Sequence, residues 1–286
     1  MKILGYTLCI GVMFVMSMQS LLSSEEEEAP QYGWTQQFVG SMNLTQAQFD
    51  NWSQGGENTL AWQLNLNSSS ALDQEIYNWT TTGKFSYGQA KIGDLGARKS
   101  ADELRIESVF LYKLGDYVNP YFSGLLQTQI TKGYKYDGDD KFTVSNLFDP
   151  GYITLSAGLG YEPTPNLKTR LGGASKTTIT RTYAVGLTDD PATANIEKID
   201  TEFGMLSVTE LRKPLAENIL LTSKLDLFSN LSSMKEVDVR WDTIISAKVS
   251  RFVDVSLNVE LLYDSDISPK RQLKQLLALG LSYTFL

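Results

Sequence analysis

From Leu276 to Leu286 the chain reads LLALGLSYTFL, and its side chains sort strictly by parity. Leu277, Leu279, Leu281, Tyr283 and Phe285 fall on one face, and Ala278, Gly280, Ser282 and Thr284 on the other. Alternation with period two is the pattern of a strand, because successive side chains point to opposite sides of the backbone. One face is large and apolar, the other small and weakly polar. Such a strand suits a wall with lipid outside and a crowded interior within, and it also suits the edge of a soluble sandwich.

The rest of the chain decides between the two. Leu60, Trp62, Leu64 and Leu66 alternate with Ala61, Gln63, Asn65 and Asn67, and Trp79, Thr81, Phe85 and Tyr87 with Asn78, Thr80, Lys84 and Ser86. The same phase recurs over residues 104–113, 121–130 and 153–161, weakens over 167–180 and 201–211, and returns over 219–227, 239–249 and 255–263. With a first strand near Trp34–Asn43 and the last at the C-terminus, the count is about twelve, an even number as bacterial barrels require. The connections alternate in length. Gly115–Asn119, Glu162–Asn166, Lys213–Asn218 and Ser250–Asp254 are short, whereas Thr45–Glu57, Lys91–Glu103, Gly133–Pro150 and Tyr183–Asp200 are long and polar. Asn67–Tyr77 is an exception, longish on the short side. Short turns on one rim and long loops on the other are expected of an up-and-down barrel, and a sandwich gives no reason for them. The predicted fold is therefore all-β, a transmembrane up-and-down antiparallel β-barrel over residues 32–286.

Residues 1–24 read as a secretory signal peptide: Lys2, an apolar run from Ile3 to Met16, then small residues from Ser20 to Ser24. The run is shorter than the roughly 20 apolar residues of a membrane helix, and no run of about 18 follows it. Cys9 lies inside it, so a processed chain would have no cysteine and no disulfide. Residues 25–31, opening with Glu25–Glu28, form an acidic stub. Processing removes one lysine and no acid and moves the net charge from -8 to -9, which does not suggest a nucleic-acid partner. The chain has no histidine, which excludes Ser-His-Asp chemistry and histidine-ligated metal or haem sites. A hydrolase inside the barrel would need Ser-Lys or paired-carboxylate chemistry, and no motif marks either. The expectation is a protein that is not an enzyme and has no cofactor.

The segments Asn51–Asn58 (NWSQGGEN), Asp149–Tyr152 (DPGY) and Tyr263–Ile267 (YDSDI), with Phe228–Asn230, carry a resemblance to uncharacterised outer-membrane barrel proteins of the Bacteroidota, a domain family of unknown function. A chain ending on such a strand also resembles bacterial outer-membrane barrels whose assembly machinery reads a terminal aromatic residue. The resemblance implies outer-membrane lipid and the barrel-assembly machinery as partners, with both termini periplasmic, and supplies no activity.

Asn51, Trp52, Gly55, Gly56 and Asn58 are candidates for a ligand-reading loop, but paired glycines also serve a tight turn, and the structural reading is favoured. Asp137, Asp139 and Asp140, Asp189 and Asp190, and Asp264 and Asp266 offer oxygen ligands without calcium-loop spacing, so a metal site is not expected. Trp34, Trp62, Trp79, Tyr87, Tyr112, Tyr161, Trp241, Tyr263 and Tyr283 suit interfacial belts.

If the apolar faces meet lipid, the inward set holds Lys84, Arg105, Lys113, Lys168, Arg170, Lys224, Arg240, Lys248 and Lys274 against Glu107, Asp226, Asp238, Asp242 and Glu260. Confined charges need partners, and Lys224 with Asp242, or Arg240 with Asp226, are expected to pair on adjacent strands. Barrels of about 8 strands are filled and those of 16 to 18 hold an aqueous channel, so about twelve leaves two readings. One is a narrow pore or ligand-specific channel with a weak anion preference, since the inward surplus is positive. The other is a charge-laced plug, a structural or accessory subunit of a larger outer-membrane assembly.

Overall fold

A computed structural model describes residues 32–286 except 51–52, 54–55, 138–139, 186, 190–191, 233–236, 265–267 and 286. The expected signal peptide and acidic stub lie outside the described residues. No helix occurs among the described residues, and twelve antiparallel strands close into one barrel.

In chain order the strands are β1 (Gly33–Ala47), β2 (Thr59–Asp73), β3 (Tyr77–Ile92), β4 (Arg98–Tyr112), β5 (Val118–Thr128), β6 (Gly133–Asp137), β7 (Asp140–Ser145), β8 (Gly151–Thr164), β9 (Leu167–Ile179), β10 (Ile199–Ala216), β11 (Ile219–Asn230), β12 (Val237–Lys248), β13 (Val253–Asp264) and β14 (Ser268–Thr284). Each barrel strand pairs with its sequence neighbour, except that β5 passes to β8 because β6 and β7 form a separate hairpin. The ring closes where Val39 to Asn43 of β1 meet Thr284 to Gly280 of β14, a seam of five register pairs. Barrel strands run from 11 to 18 residues, enough to cross a bilayer when tilted.

Parity follows the physical logic of a wall. On β14, Leu277, Leu279 and Leu281 are 70%, 61% and 63% exposed, whereas the intervening Ala278 is 4% exposed. Trp79, Phe110, Phe122, Leu159, Phe203 and Trp241 continue the outward apolar surface around the ring. Two outward tryptophans satisfy their ring N–H on a neighbouring strand: Trp79 donates to Ser108 Oγ and Trp241 to Ser223 Oγ, each at 2.8 Å. An indole N–H facing hydrocarbon has no water to bond, so the diagonal serine removes a desolvation cost.

Three strand boundaries differ from the sequence expectation. The longish Asn67–Tyr77 connection is a turn of three residues, because β2 continues to Asp73 and β3 begins at Tyr77. Lys91–Glu103 likewise shrinks, with β4 beginning at Arg98. Gly133–Pro150, expected as loop, contains the β6–β7 hairpin. In the first two cases strand ends rich in polar residues pair by backbone hydrogen bonds without the apolar alternation that identifies a strand in sequence, and in the third the alternating runs, Tyr134 and Tyr136 against Phe142 and Val144, are only a few residues long.

β8 and β9 approach each other unusually closely at one inward pair. Gly158 and Gly172 are register partners. A Cβ at Gly158 would lie 2.2 Å from Leu171 O, and one at Gly172 would lie 2.2 Å from Ala157 O.

Candidate functional site

The barrel wall turns a set of charged side chains inward, and they meet across the lumen. On β4 the inward residues Glu103, Arg105 and Glu107 alternate in sign. Facing them, Arg240 of β12 and Asp226 and Lys224 of β11 alternate in the opposite order. Arg240 Nη2 donates to Glu103 Oε1 at 2.7 Å, Arg105 Nη2 to Asp226 Oδ2 at 2.8 Å, and Lys224 Nζ to Glu107 Oε2. In the ring order β4 and β12 stand opposite one another, with five strands between them on either side, so this row of ion pairs crosses the lumen.

The row is braced on both sides. Arg170 Nη2 of β9 reaches Glu107 at 2.7 Å and Glu210 of β10 at 3.2 Å, and Lys224 reaches Glu210 at 3.2 Å. Lys84 lies 2.8 Å from Glu103, and Arg240 holds Asp242 at 3.0 Å and Glu260 at 2.9 Å. Toward the rim of long loops, Lys176 is surrounded by Asp238 at 2.6 Å, Asp264 at 3.0 Å and Glu202 at 3.4 Å. On the rim of short turns Lys168 lies 3.4 Å from Glu162, and Lys113 lies 2.7 Å from Asp73.

The sequence expectations are corrected here in two respects. Lys224 and Asp242 are register partners, as are Asp226 and Arg240, yet neither couple forms an ion pair among the described residues, because Lys224, Asp226 and Arg240 each reach a partner on β4 across the barrel, and Asp242 is held by Arg240 of its own strand. The positive surplus also disappears once inward residues that the sequence reading omitted are counted: Lys176 adds one cation, and Glu103, Glu202, Glu210, Asp254 and Asp264 add acids. Glu103 was assigned to a loop, and Glu202, Glu210 and Lys176 fall on the two strands of weakest alternation. The signal that finds them is phase: Glu103 continues the Arg105, Glu107 face two residues earlier, and Lys176 continues the Lys168, Arg170 face.

The ion-pair row divides the interior. On the side of β5, β8, β9 and β10 the lumen is filled at mid-depth, where the buried side chains of Tyr121 and Val208 lie beside Arg170, and a second cavity of about 550 Å³ opens toward the short-turn rim at Lys113, Asn119, Glu162 and Lys168. On the other side, bounded mainly by β12, β13, β14, β1, β2 and β3, a cavity of about 580 Å³ remains, which also reaches Glu103 of β4, Gln127 of β5 and Tyr152 of β8. On β14 it meets Lys274, Leu276 and Ser282. Its wall is largely amide and hydroxyl, including Asn43, Asn65, Asn67, Ser256 and Asn258, with Lys84, Arg240, Asp242, Glu260, Lys248 and Lys274 also on it. Asn65 is fixed in place: its Oδ1 accepts from Gln63 Nε2 at 2.7 Å and from Ser86 Oγ at 2.8 Å.

The loop motifs serve to hold the rim. Asn58 Oδ1 accepts the Phe49 N–H at 2.7 Å, and Gly56 adopts φ 142° with the Phe49 ring 2.7 Å from where a Cβ would stand. Asn51, Trp52 and Gly55 lie outside the described residues, as do Asp139, Asp190 and Asp266. Among the described residues no group of three or more acidic, histidine or cysteine side chains is placed to hold a metal ion.

Asp149, from the DPGY segment, is 3% exposed and accepts the backbone N–H groups of Arg181, Thr182 and Tyr183 at 2.8, 2.8 and 3.2 Å, joining two loops of the long rim. Burial by itself pushes its carboxyl up, but the three N–H groups together outweigh this and hold it below its ordinary value of 3.8. A depressed carboxylate contributes stability that is complete above the ordinary value and is lost as pH falls through the lowered one. Backbone amide NMR of Arg181–Tyr183 is therefore expected to stay constant from neutral pH down to that value and to change only below it. A transition at a higher pH would show that Asp149 is not the tie.

A closed antiparallel barrel with an apolar outer wall and a polar, ion-paired interior defines the class: an integral outer-membrane β-barrel protein. Within that class, a family model described as a protein of unknown function (DUF3078) matches residues 44–134, less than half of the chain. No curated protein matches. Among solved structures, the chain is similar to the translocator domain of the autotransporter NalP from Neisseria meningitidis, with TM-score 0.42, 11% identity and 90% of each chain covered. It is also similar to an outer membrane channel from Pseudomonas putida F1, with TM-score 0.41, 12% identity and coverage of 92% of this chain and 98% of that one. For the NanC porin the TM-score is 0.41 at 8% identity, with 86% and 98% covered.

Proposed function

We propose that the barrel is a narrow path for small polar solutes across the outer membrane, with its short-turn rim and both chain ends on the periplasmic side. The observation that supports this reading is the cavity of about 580 Å³ left open beside the ion-pair row, a size within the range of small-molecule sites. The proposal assigns the barrel no covalent chemistry and no cofactor. Outer-membrane lipid is its surrounding partner, and the C-terminal strand is its handle for the barrel-assembly machinery.

Ion preference is expected to be slight. Lys84 and Arg240 are neutralised by Glu103, Asp242 and Glu260, so a preference for anions rests on Lys248 and Lys274, which have no carboxylate within 4.0 Å among the described residues. Asp254, the register partner of Lys248, offsets part of even that. A second reading, a non-conducting accessory subunit, is favoured by the ion pairs that bridge the lumen and by Tyr121 and Val208 packed beside them at mid-depth. Planar-bilayer recording under a salt gradient separates the two. Small single-channel steps with a weakly anion-selective reversal potential are expected; their absence at any voltage, together with co-purification of a stoichiometric partner, supports the accessory role.

A further inference from the structure

We propose that the open half of the lumen is a binding path for an uncharged polyhydroxylated solute of the size of a simple sugar. The inference rests on the reading of the barrel as a solute path and names the solute's chemistry. The cavity is walled on two sides by groups suited to hydroxyls. On β13 Asp254, Ser256 and Asn258 follow one another at every second residue, and Asn43, Asn65 and Asn67 stand on β1 and β2. Between these two walls runs β14, where the missing side chain of Gly280 lets Asn43 Oδ1 lie over the strand, 2.5 Å from where a Cβ would stand.

A carboxamide offers both a carbonyl acceptor and N–H donors, and a hydroxyl is likewise donor and acceptor, so a ring of amides can bond a polyol whichever way each hydroxyl turns. The pair Asn258 Nδ2 to Ser256 Oγ, at 3.1 Å, is aligned along one wall. Asp254 Oδ1 is buried and accepts no hydrogen bond from any described residue, so the wall carries an unsatisfied acceptor at this point. The charges on the same wall are mostly committed to each other. Lys248 and Lys274, which no carboxylate of a described residue reaches within 4.0 Å, have Asp254 on the strand between theirs. A solute of either sign that gives up its hydration there meets a like charge along with its counter-charge, whereas a neutral polyol exchanges its water hydrogen bonds for amide ones.

The test uses the full chain in liposomes under isotonic solutes. Glucose, a neutral hexose, is expected to enter several times faster than gluconate, which has similar size and one negative charge, and than glucosamine, which has a positive one. Ser256→Trp, which fills the cavity without touching the ion-pair row, is expected to slow glucose by about tenfold, and Asn258→Ala, which removes one polar partner, to weaken its retention by up to about tenfold. Equal entry of glucose, gluconate and glucosamine, or glucose entry unchanged in both variants, would overturn the inference while leaving a channel. If no solute enters and no bilayer steps are seen, the path itself fails. Saturation-transfer NMR with glucose then decides the site separately: binding that is lost in Asn258→Ala upholds it, and no binding in the parent chain refutes it.

Discussion

Replacing Glu107 by glutamine is expected to destabilise the barrel by about 3–5 kcal/mol, the cost of removing one partner from a buried ionic cluster. Glu107 accepts from both Arg170 and Lys224, and its side chain is 11% exposed. Without it two cations depend on Glu210 alone, at 3.2 Å from each. The measurement is urea unfolding of the reconstituted protein followed by tryptophan fluorescence. The exchange Glu107→Lys with Lys224→Glu carries the sharper information: contact across the lumen predicts that the double variant recovers most of the loss of either single one, because the pair is restored with its ends reversed. Pairing of Lys224 with its strand neighbour Asp242 predicts no recovery. A Glu107→Gln variant within about 1 kcal/mol of the parent would show that the row is hydrated rather than mutually bonded.

The second large effect is expected at the glycine pair. Gly158→Ala should cost about 3 kcal/mol, at the top of the range for overpacking, because the new Cβ meets backbone atoms that cannot rotate away. Leu171 O stands 2.2 Å from its position and Gly172 Cα 2.4 Å. Gly158→Val is expected to prevent closure altogether, seen as loss of the faster-migrating folded band in unheated SDS gels. Gly173, next in the chain and with nothing within 4 Å of its Cβ position, provides the control: Gly173→Ala should leave the folded band intact. If Gly158→Ala behaves like Gly173→Ala, the close approach of β8 and β9 is not needed to close the wall.

Both predictions depend on how far side-chain identity alone specifies position. Alternation of apolar residues sufficed to identify the fold class and about twelve strands, because lipid on one side and a lumen on the other impose a period of two on every segment between them. The same alternation failed at strand ends. Arg98 to Glu103 are strand residues, paired with β3 except at Ser100 where the register shifts, but the wall there no longer needs apolar residues, so nothing in composition distinguishes them from a loop. This is why Glu103 was missed although its phase with Arg105 and Glu107 is unbroken.

Which residues face inward was therefore largely legible from Lys84 to Glu260, while what they bond to was not. Register places Lys224 beside Asp242 and Asp226 beside Arg240, and adjacent opposite charges are the pairs that a local reading selects. Closure of the ring brings β4 within reach of β11 and β12, and there Glu103, Arg105 and Glu107 meet a row of opposite sign. Sequence by itself determined the wall, since one-dimensional periodicity records the two solvents that each strand separates. Only the tertiary structure decided that ion pairs cross the interior and leave cavities beside them, because that depends on which strands stand opposite one another when the barrel closes, a relation between residues more than a hundred positions apart in the chain.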